Sequence, residues 1–248
     1  INNFLGGVDE DWFVTIHVCI ENAASDALKA ALKLSRLRES DKISVFSDNL
    51  KEISDVIIST NSKQVDTTKI SDVKSIVAEH DSTDVLVLNT GGPPAMDFFD
   101  ITEELWVENF NRLFLSFCIL LKGIRINKGG YVFLISSFNI KEPDQNLILS
   151  NSFRLAFTSV FKSLSKRDLK NSVSYINIAP GPMKTDRLSS LLSEKNKTFE
   201  QFASELPTKS IGDPNEIGLF VKFVVENKIK SLNGLTINFD MGLSNYVL

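Results

Sequence analysis

The chain has 248 residues, 43% of them hydrophobic and 23% charged, with a formal net charge of −4. That is enough length for one large domain or two small ones, and the composition is too apolar and too mixed for a disordered chain. No basic surplus favours nucleic acid or an anionic membrane surface, and the most apolar stretch, Phe114 to Leu121, is far shorter than the ~20 residues that span a bilayer. Two cysteines, Cys19 and Cys118, argue against a disulfide framework and suit a reducing compartment. No secretory signal is visible and a cytoplasmic location is expected, although the sequence begins at Ile1 and a start upstream stays open.

Short apolar runs alternate with longer amphipathic ones along the chain, with no linker, repeat or low-complexity stretch. Trp12–Val18 reads as the first strand, and Ala24, Ala27, Leu28, Ala31 and Leu34 mark one face of a helix over roughly 22–38. Ile43–Phe46 is a second strand. The stretch from Asp55 to Lys63 fits no standard crossover helix and holds its own strand-like Val56-Ile57-Ile58. Val85–Leu88 is the next strand, followed by a long helix over Ile101–Ile124 that opens with a polar turn at Thr102 to Glu104. Val132–Ile135 leads to a helix over Asn151–Lys170, and Val173–Ile178 to one over Pro214–Glu226. That last helix opens with Asp213-Pro214, an N-cap followed by proline at the first helical position. Leu235–Phe239 closes the series. Runs that are almost continuously apolar suit strands buried on both faces. The alternation predicts an α/β fold: a doubly wound, Rossmann-like three-layer sandwich with a mainly parallel sheet of about seven strands, formed by 1–248 as one domain.

Ligands in such a sheet bind beyond the carboxyl ends of the strands. Val85–Leu88 is followed by Asn89-Thr90-Gly91-Gly92-Pro93, Val132–Ile135 by Ser136-Ser137, and Val173–Ile178 by Ala179-Pro180-Gly181 with Thr185 shortly after; Gly234 to Gly242 encloses Asp240 near the end. This ordered set resembles the short-chain dehydrogenase/reductase family, and within it the 3-oxoacyl-acyl-carrier-protein reductases. The resemblance spans nearly the whole chain and is most specific over about residues 84–248. It implies an NAD(P)-dependent oxidoreductase, usually a homotetramer.

The resemblance also implies site positions. The family's serine after the fifth strand falls on Ser137. Its proton-donating tyrosine falls on Ser150, the lysine that tunes that tyrosine on Arg154, and a helical asparagine counted from Trp106 on Leu113. Carbonyl reduction needs a proton as hydride arrives, and a phenol tuned by a neighbouring cation supplies it near neutrality. An alkyl hydroxyl is a weaker acid and one ring shorter, and an arginine does not deprotonate. Tyr131, Tyr175 and Tyr246 lie on or near strands or at the tail, and none is an obvious substitute. Each position also has a plainer reading. Ser150 is also an N-cap candidate for the helix from Asn151. Arg154 is either a charge on that helix's solvated or subunit-facing side or an anion-binding residue in the crevice, and the plainer reading of Ser137 is the end of a strand.

The family places a glycine-rich turn after the first strand to admit the cofactor pyrophosphate. Here the turn Cys19-Ile20-Glu21-Asn22-Ala23-Ala24-Ser25-Asp26 has no glycine, and Glu21 and Asp26 add negative charge, so it reads as a self-capped helix start. By resemblance the remaining cofactor positions are Asp48, Asp66, Asn89, Gly91, Gly92, Pro180, Gly181 and Thr185, each with an alternative as turn chemistry. Asp48 would accept ribose hydroxyls and repel a 2′-phosphate. Cofactor binding is therefore expected to be none or weak, with NAD ahead of NADP. His17 and His80 have no ligand spacing, and no metal site is expected.

Three functions stay open. The favoured one is a 3-oxoacyl-acyl-carrier-protein reductase-related chain that has lost ordinary hydride transfer and serves as a ligand-binding or structural oligomer partner. The alternative is an NAD(P)-dependent oxidoreductase with an atypical Ser137, Ser150 and Arg154 site; an enzyme of another reaction class on the same scaffold is the third. Expected partners are further copies of the chain, as a dimer or tetramer, and a small-molecule or acyl-carrier ligand, with neither nucleic acid nor membrane. Phe110, Phe114, Phe117, Phe157 and Phe161 give the two long helices the apolar surface for pairing.

Overall fold

The computed structural model of the chain describes residues 15–20, 42–47, 60–194 and 196–246, with backbone alone at 15–20, 42–47, 60–64, 168–169, 186–187 and 194. Seven strands run as β1 Thr15–Ile20, β2 Lys42–Ser47, β3 Thr60–Gln64, β4 Ser82–Leu88, β5 Arg125–Ile135, β6 Ser174–Pro180 and β7 Thr236–Phe239. They form one sheet in the order β3-β2-β1-β4-β5-β6-β7, and every pairing is parallel. The order reverses between β1 and β4, which opens a crevice at the carboxyl edge. The expected doubly wound, Rossmann-like sheet is therefore the one found.

The central strands explain why their sequence is apolar almost without interruption. Val85, Val87, Tyr131, Phe133, Ile176 and Ile178 pack on one face of the sheet against Ile217, Val221, Val224 and Val225. The intervening Leu86, Leu88, Val132, Leu134 and Tyr175 pack on the other, against Val73, Ile76, Phe117, Leu120, Phe157 and Phe161. Adjacent residues of a strand point to opposite faces, so a strand covered on both sides is apolar at most positions, with Asn177 of β6 among the buried polar exceptions. β3, the sequence TNSKQ, lies at the sheet edge and lacks that signature. Polar edges discourage pairing with foreign strands, and the strand escapes a search for apolar runs. The expected Val56-Ile57-Ile58 strand and the helix over 22–38 lie outside the described residues, as does Trp12.

Among the described residues the helices are α1 Ile70–Glu79, α2 Glu103–Phe110, α3 Ser116–Gly123, α4 Ile148–Arg167, α5 Asp186–Glu194, α6 Phe199–Glu205 and α7 Pro214–Glu226. The single helix expected over 101–124 is interrupted by a π turn at Asn111–Leu115. Ser116 Oγ donates to the Arg112 carbonyl at 2.7 Å, and such back-bonding competes with the regular ladder and bends a helix. α2 starts where Thr102 Oγ1 accepts from Leu105 N. α7 matches its expected span, with Asp213 Oδ1 accepting from Asn215 N at 2.9 Å and Pro214 in the first turn.

α4 begins three residues earlier than expected. The Leu147 carbonyl already accepts from Asn151 N at 2.8 Å, and Asn151 Nδ2 ties back to the Asp144 carbonyl at 2.8 Å. Ser150 therefore sits inside the first turn and is not its N-cap. The aromatic residues expected to pair subunits also divide. Phe117, Phe157 and Phe161 are buried in the chain's own core, and the outward apolar residues on these two helices are Val107, Phe110 and Leu155.

Phe157 joins the two helices to the sheet. Its ring lies 5.0 Å from that of Phe117, 6.0 Å from Phe114 and 6.3 Å from Phe161, which in turn meets Tyr175 edge-on at 5.3 Å. Truncation leaves a cavity in a layer that cannot collapse without moving the sheet. Phe157→Ala is expected to lower stability by about 3–5 kcal/mol, measured by urea denaturation, whereas Leu155→Ala on the exposed side of the same helix should cost far less.

Candidate functional site

All the sequence-identified positions after β4, β5 and β6 gather at the carboxyl edge of the sheet. Asn89 and Thr90 follow β4 and are buried, and Gly91 and Gly92 continue the chain outward. Ser136 follows β5; its N–H donates to the Ile178 carbonyl at 2.8 Å and its Oγ to the same carbonyl at 3.2 Å. This ties the exits of β5 and β6 together. Ser137 Oγ accepts from Asn139 N at 3.2 Å and caps a short 3-10 turn over Phe138–Ile140.

Arg154 reaches from α4 into this edge. Its Nη1 donates to the Ile135 carbonyl at 3.0 Å and the Ser136 carbonyl at 3.4 Å, and its Nη2 to the Thr90 carbonyl at 3.1 Å. Its Nε donates to Ser150 Oγ at 3.2 Å, one helical turn back. The guanidinium thus faces main-chain carbonyls at the ends of β4 and β5. Neither sequence reading of Arg154, a solvated charge or an anion ligand, describes this arrangement. Leu113 is buried within the π turn, and nearby Asn111 sends its Nδ2 to the Thr68 carbonyl at 3.3 Å.

The remaining positions divide by element. Asp66 Oδ1 accepts from Thr68 N at 3.0 Å and Thr68 Oγ1 at 2.6 Å, and its other oxygen lies 3.2 Å from Lys69 Nζ. Burial pushes this carboxyl up, but the bonds from Thr68 and Lys69 outweigh it and hold it below the usual carboxylate range. Pro180 ends β6, and Gly181 N donates to the Phe239 carbonyl at 2.9 Å. A β-carbon at Gly181 would stand 2.7 Å from Asp240 Cα, so close approach of two backbones requires glycine there. Thr185 Oγ1 accepts from Leu188 N at 3.3 Å at the start of α5. Asp48, Glu21 and Asp26 lie outside the described residues. His80 closes α1 with its Nδ1 3.0 Å from the Ile76 carbonyl. Among the described residues no group of three or more His, Cys, Asp or Glu is placed to hold a metal ion.

The three tyrosines are each committed elsewhere. Tyr131 is fully buried, its hydroxyl has no hydrogen-bond partner, and Lys230 Nζ lies over its ring at 3.5 Å. Burial pushes the Tyr131 phenol up to about 12 and brings the Lys230 ammonium down to about 8. Tyr175 is buried in the α4 layer. Tyr246 meets Asn238 Nδ2 through its hydroxyl and carries Lys141 Nζ over its ring at 4.2 Å.

Sequence reasoning missed three features of the rim, two of them contacts between loops. Glu142, just past the Phe138–Ile140 turn, accepts from the backbone of Asn245 and Tyr246 and fixes the tail against the loop after β5. Met96 N donates to the Asn146 carbonyl at 2.9 Å and joins the loop after β4 to the same segment. Both are contacts between loops distant in sequence, with no motif to announce them. The third missed feature is Thr90 Oγ1, buried without a hydrogen-bond partner; its place directly after an apolar strand was its only signal.

The parallel sheet with its reversal of strand order, and polar residues clustered at its carboxyl edge, define a nucleotide-type α/β architecture. A family model described as enoyl-(acyl carrier protein) reductase matches residues 44–244, and the chain belongs to the short-chain dehydrogenase/reductase family. It is 24% identical over 163 residues to dehydrogenase/reductase SDR family member 4 of Sus scrofa, covering 64% of this chain and 58% of the relative. With 3-oxoacyl-[acyl-carrier-protein] reductase FabG of Vibrio cholerae it shares 24% over 178 residues, 69% of this chain and 70% of the relative. The matched part thus spans between 58% and 70% of these relatives' length. Among solved structures, YwfH, an NADPH-dependent reductase involved in bacilysin biosynthesis, aligns over 95% of this chain and 100% of its own with a TM-score of 0.81 at 19% identity. L-sorbose reductase from Gluconobacter frateurii, solved with NADPH and L-sorbose, aligns over 95% of this chain and 99% of its own with a TM-score of 0.80 at 16% identity.

Asp240 anchors the turn after β7 and offers a pH test. Burial raises its carboxyl, but bonds from Ser244 Oγ and N, Gly242 N and Asn238 Nδ2 outweigh this and lower it. A carboxyl depressed on folding stabilises fully above its unfolded value of ~3.9 and loses that contribution as pH falls through the folded value. The gap in thermal midpoint between the natural chain and Asp240→Asn is therefore expected to hold steady above about pH 5 and to narrow below about pH 4.

Proposed function

We propose that this family member, with 1–248 forming one domain, has lost ordinary hydride transfer and serves as a ligand-binding or structural partner in an oligomer. The observation that carries this reading is the commitment of Ser137, Ser150 and Arg154 to the protein's own backbone and to one another. An arginine does not give up a proton, so Arg154 relays none. Nor does a phenol stand in the tyrosine position, where Ser150 lies. The sequence over 19–26, without glycine and with Glu21 and Asp26, adds a second, separate obstacle to the cofactor pyrophosphate. Any nucleotide binding is weak, with Asp48 favouring NAD over NADP. The ligand is a small molecule or an acyl-carrier group, and the setting is cytoplasmic, without nucleic acid. Among the described residues no helix is long and apolar enough to cross a membrane.

The second reading, an NAD(P)-dependent oxidoreductase using Ser137, Ser150 and Arg154 atypically, draws on the relatives: the L-sorbose reductase of the same fold holds NADPH. A reductase screen of the full chain on 3-oxoacyl thioesters, ketones and quinones separates the two. Only trace NAD(P)H-dependent turnover is expected, since losing general-acid help alone costs ~10²–10⁴-fold. Ser150→Tyr with Arg154→Lys should recover little until glycines also replace residues in 21–26, because groups acting as a unit are not additive. Turnover near ~1 s⁻¹, within the ordinary enzyme range, that is lost in Ser137→Ala or Arg154→Ala would establish the atypical enzyme instead.

Two separate apolar surfaces support the oligomer. Val107, Phe110 and Leu155 are exposed on α2 and α4, and Leu219, Phe223 and Leu235 on and beside α7. One self-complementary surface makes a dimer and two make a tetramer. Light scattering at micromolar concentration is expected to give a multiple of the 27.7 kDa chain mass, and Phe223→Glu should remove one step of assembly.

A further inference from the structure

We propose that the carboxyl ends of β4 and β5 form a binding site for a planar cation, which the chain fills from within using Arg154. The inference rests on the reading of this edge as the family's ligand crevice, but not on whether hydride transfer is lost. Three main-chain carbonyls, those of Thr90, Ile135 and Ser136, converge on one guanidinium at 3.0–3.4 Å, and Ser150 Oγ meets its Nε at 3.2 Å. These carbonyls come from the ends of two adjacent strands, where the sheet ladder no longer supplies partners. A fixed fork of N–H donors matches them; a single ammonium cannot reach all of them together. Arg154 thus takes the acceptors that a ligand's hydroxyl or amino donors would otherwise use. It also holds the loops after β4 and β5, including Ser137, at a set separation. The buried, unpartnered Thr90 Oγ1 belongs to the residue whose carbonyl receives Nη2.

The test is chemical rescue in the full chain. Arg154→Ala is expected to lower the thermal midpoint by on the order of 5 °C. Millimolar ethylguanidinium, far below denaturing concentration, should restore at least half of that loss while leaving the natural chain unchanged. Ethylammonium at the same concentration should restore much less. A variant that melts like the natural chain, or one that is destabilised and answers equally to both ions or to neither, would overturn the proposal. If Arg154→Ala does not fold, Arg154→Lys carries the test through amide hydrogen exchange. Exchange should quicken at 90–92 and 136–139 but not in α7, and an unchanged pattern would overturn the proposal. Reductase turnover by the natural chain would refute the proposed loss of activity and leave the ethylguanidinium result standing, so the two failures are distinguishable.

Discussion

The central strands β4, β5 and β6 have apolar neighbours on both faces, and this double burial is the constraint from which the rest of the structure follows. Odd and even residues of Val85–Leu88 and Tyr131–Leu134 enter different cores. A polar side chain on either face costs free energy unless it finds a partner, and few are present there. Polar chemistry is thereby pushed to where the strands end. At the carboxyl edge the backbone leaves the ladder with carbonyls to satisfy, and that edge holds Asn89, Thr90, Ser136, Ser137 and Arg154. Site and core are two results of one arrangement.

At that edge several polar groups find their partners within the chain. Ser136 ties β5 to β6, Ser137 caps its own turn, and Arg154 ties α4 to the ends of β4 and β5. Glu142 and Asp240 do the same for the tail. Internal partners of this kind lower the free energy of the folded chain and must be displaced before a ligand uses the same groups. In the proposed function the crevice therefore supports the scaffold more than it supports turnover.

Much of the fold was legible in the sequence because burial on both faces writes itself into consecutive residues. β4, β6, α7 and the ordered motifs at the strand ends lie within a few residues of their expected places, whereas β5 begins at Arg125, seven residues before the expected Val132. β3 was not placed, because an edge strand has no buried face to advertise. The start of α4 was misplaced because the capping carbonyl comes from Leu147, an apolar residue with no cap chemistry of its own. The π turn at Asn111–Leu115 interrupts the 101–124 helix, and the hydrophobic pattern of the sequence does not record it.

For the site, the sequence by itself determined which residue types stand at which positions: serine in place of a phenol at 150, arginine in place of lysine at 154, and no glycine over 19–26. Those are chemical identities, and linear order carries them fully. Only the tertiary structure decided what the groups bind. Arg154 meets Thr90 across 64 positions of sequence and Glu142 meets Tyr246 across 104. Such partners are set by how β4, β5, β7 and α4 pack. The physical reason is that a charge is satisfied by whatever donor or acceptor of the right sense lies within about 3 Å, and proximity at that scale is a property of the folded chain.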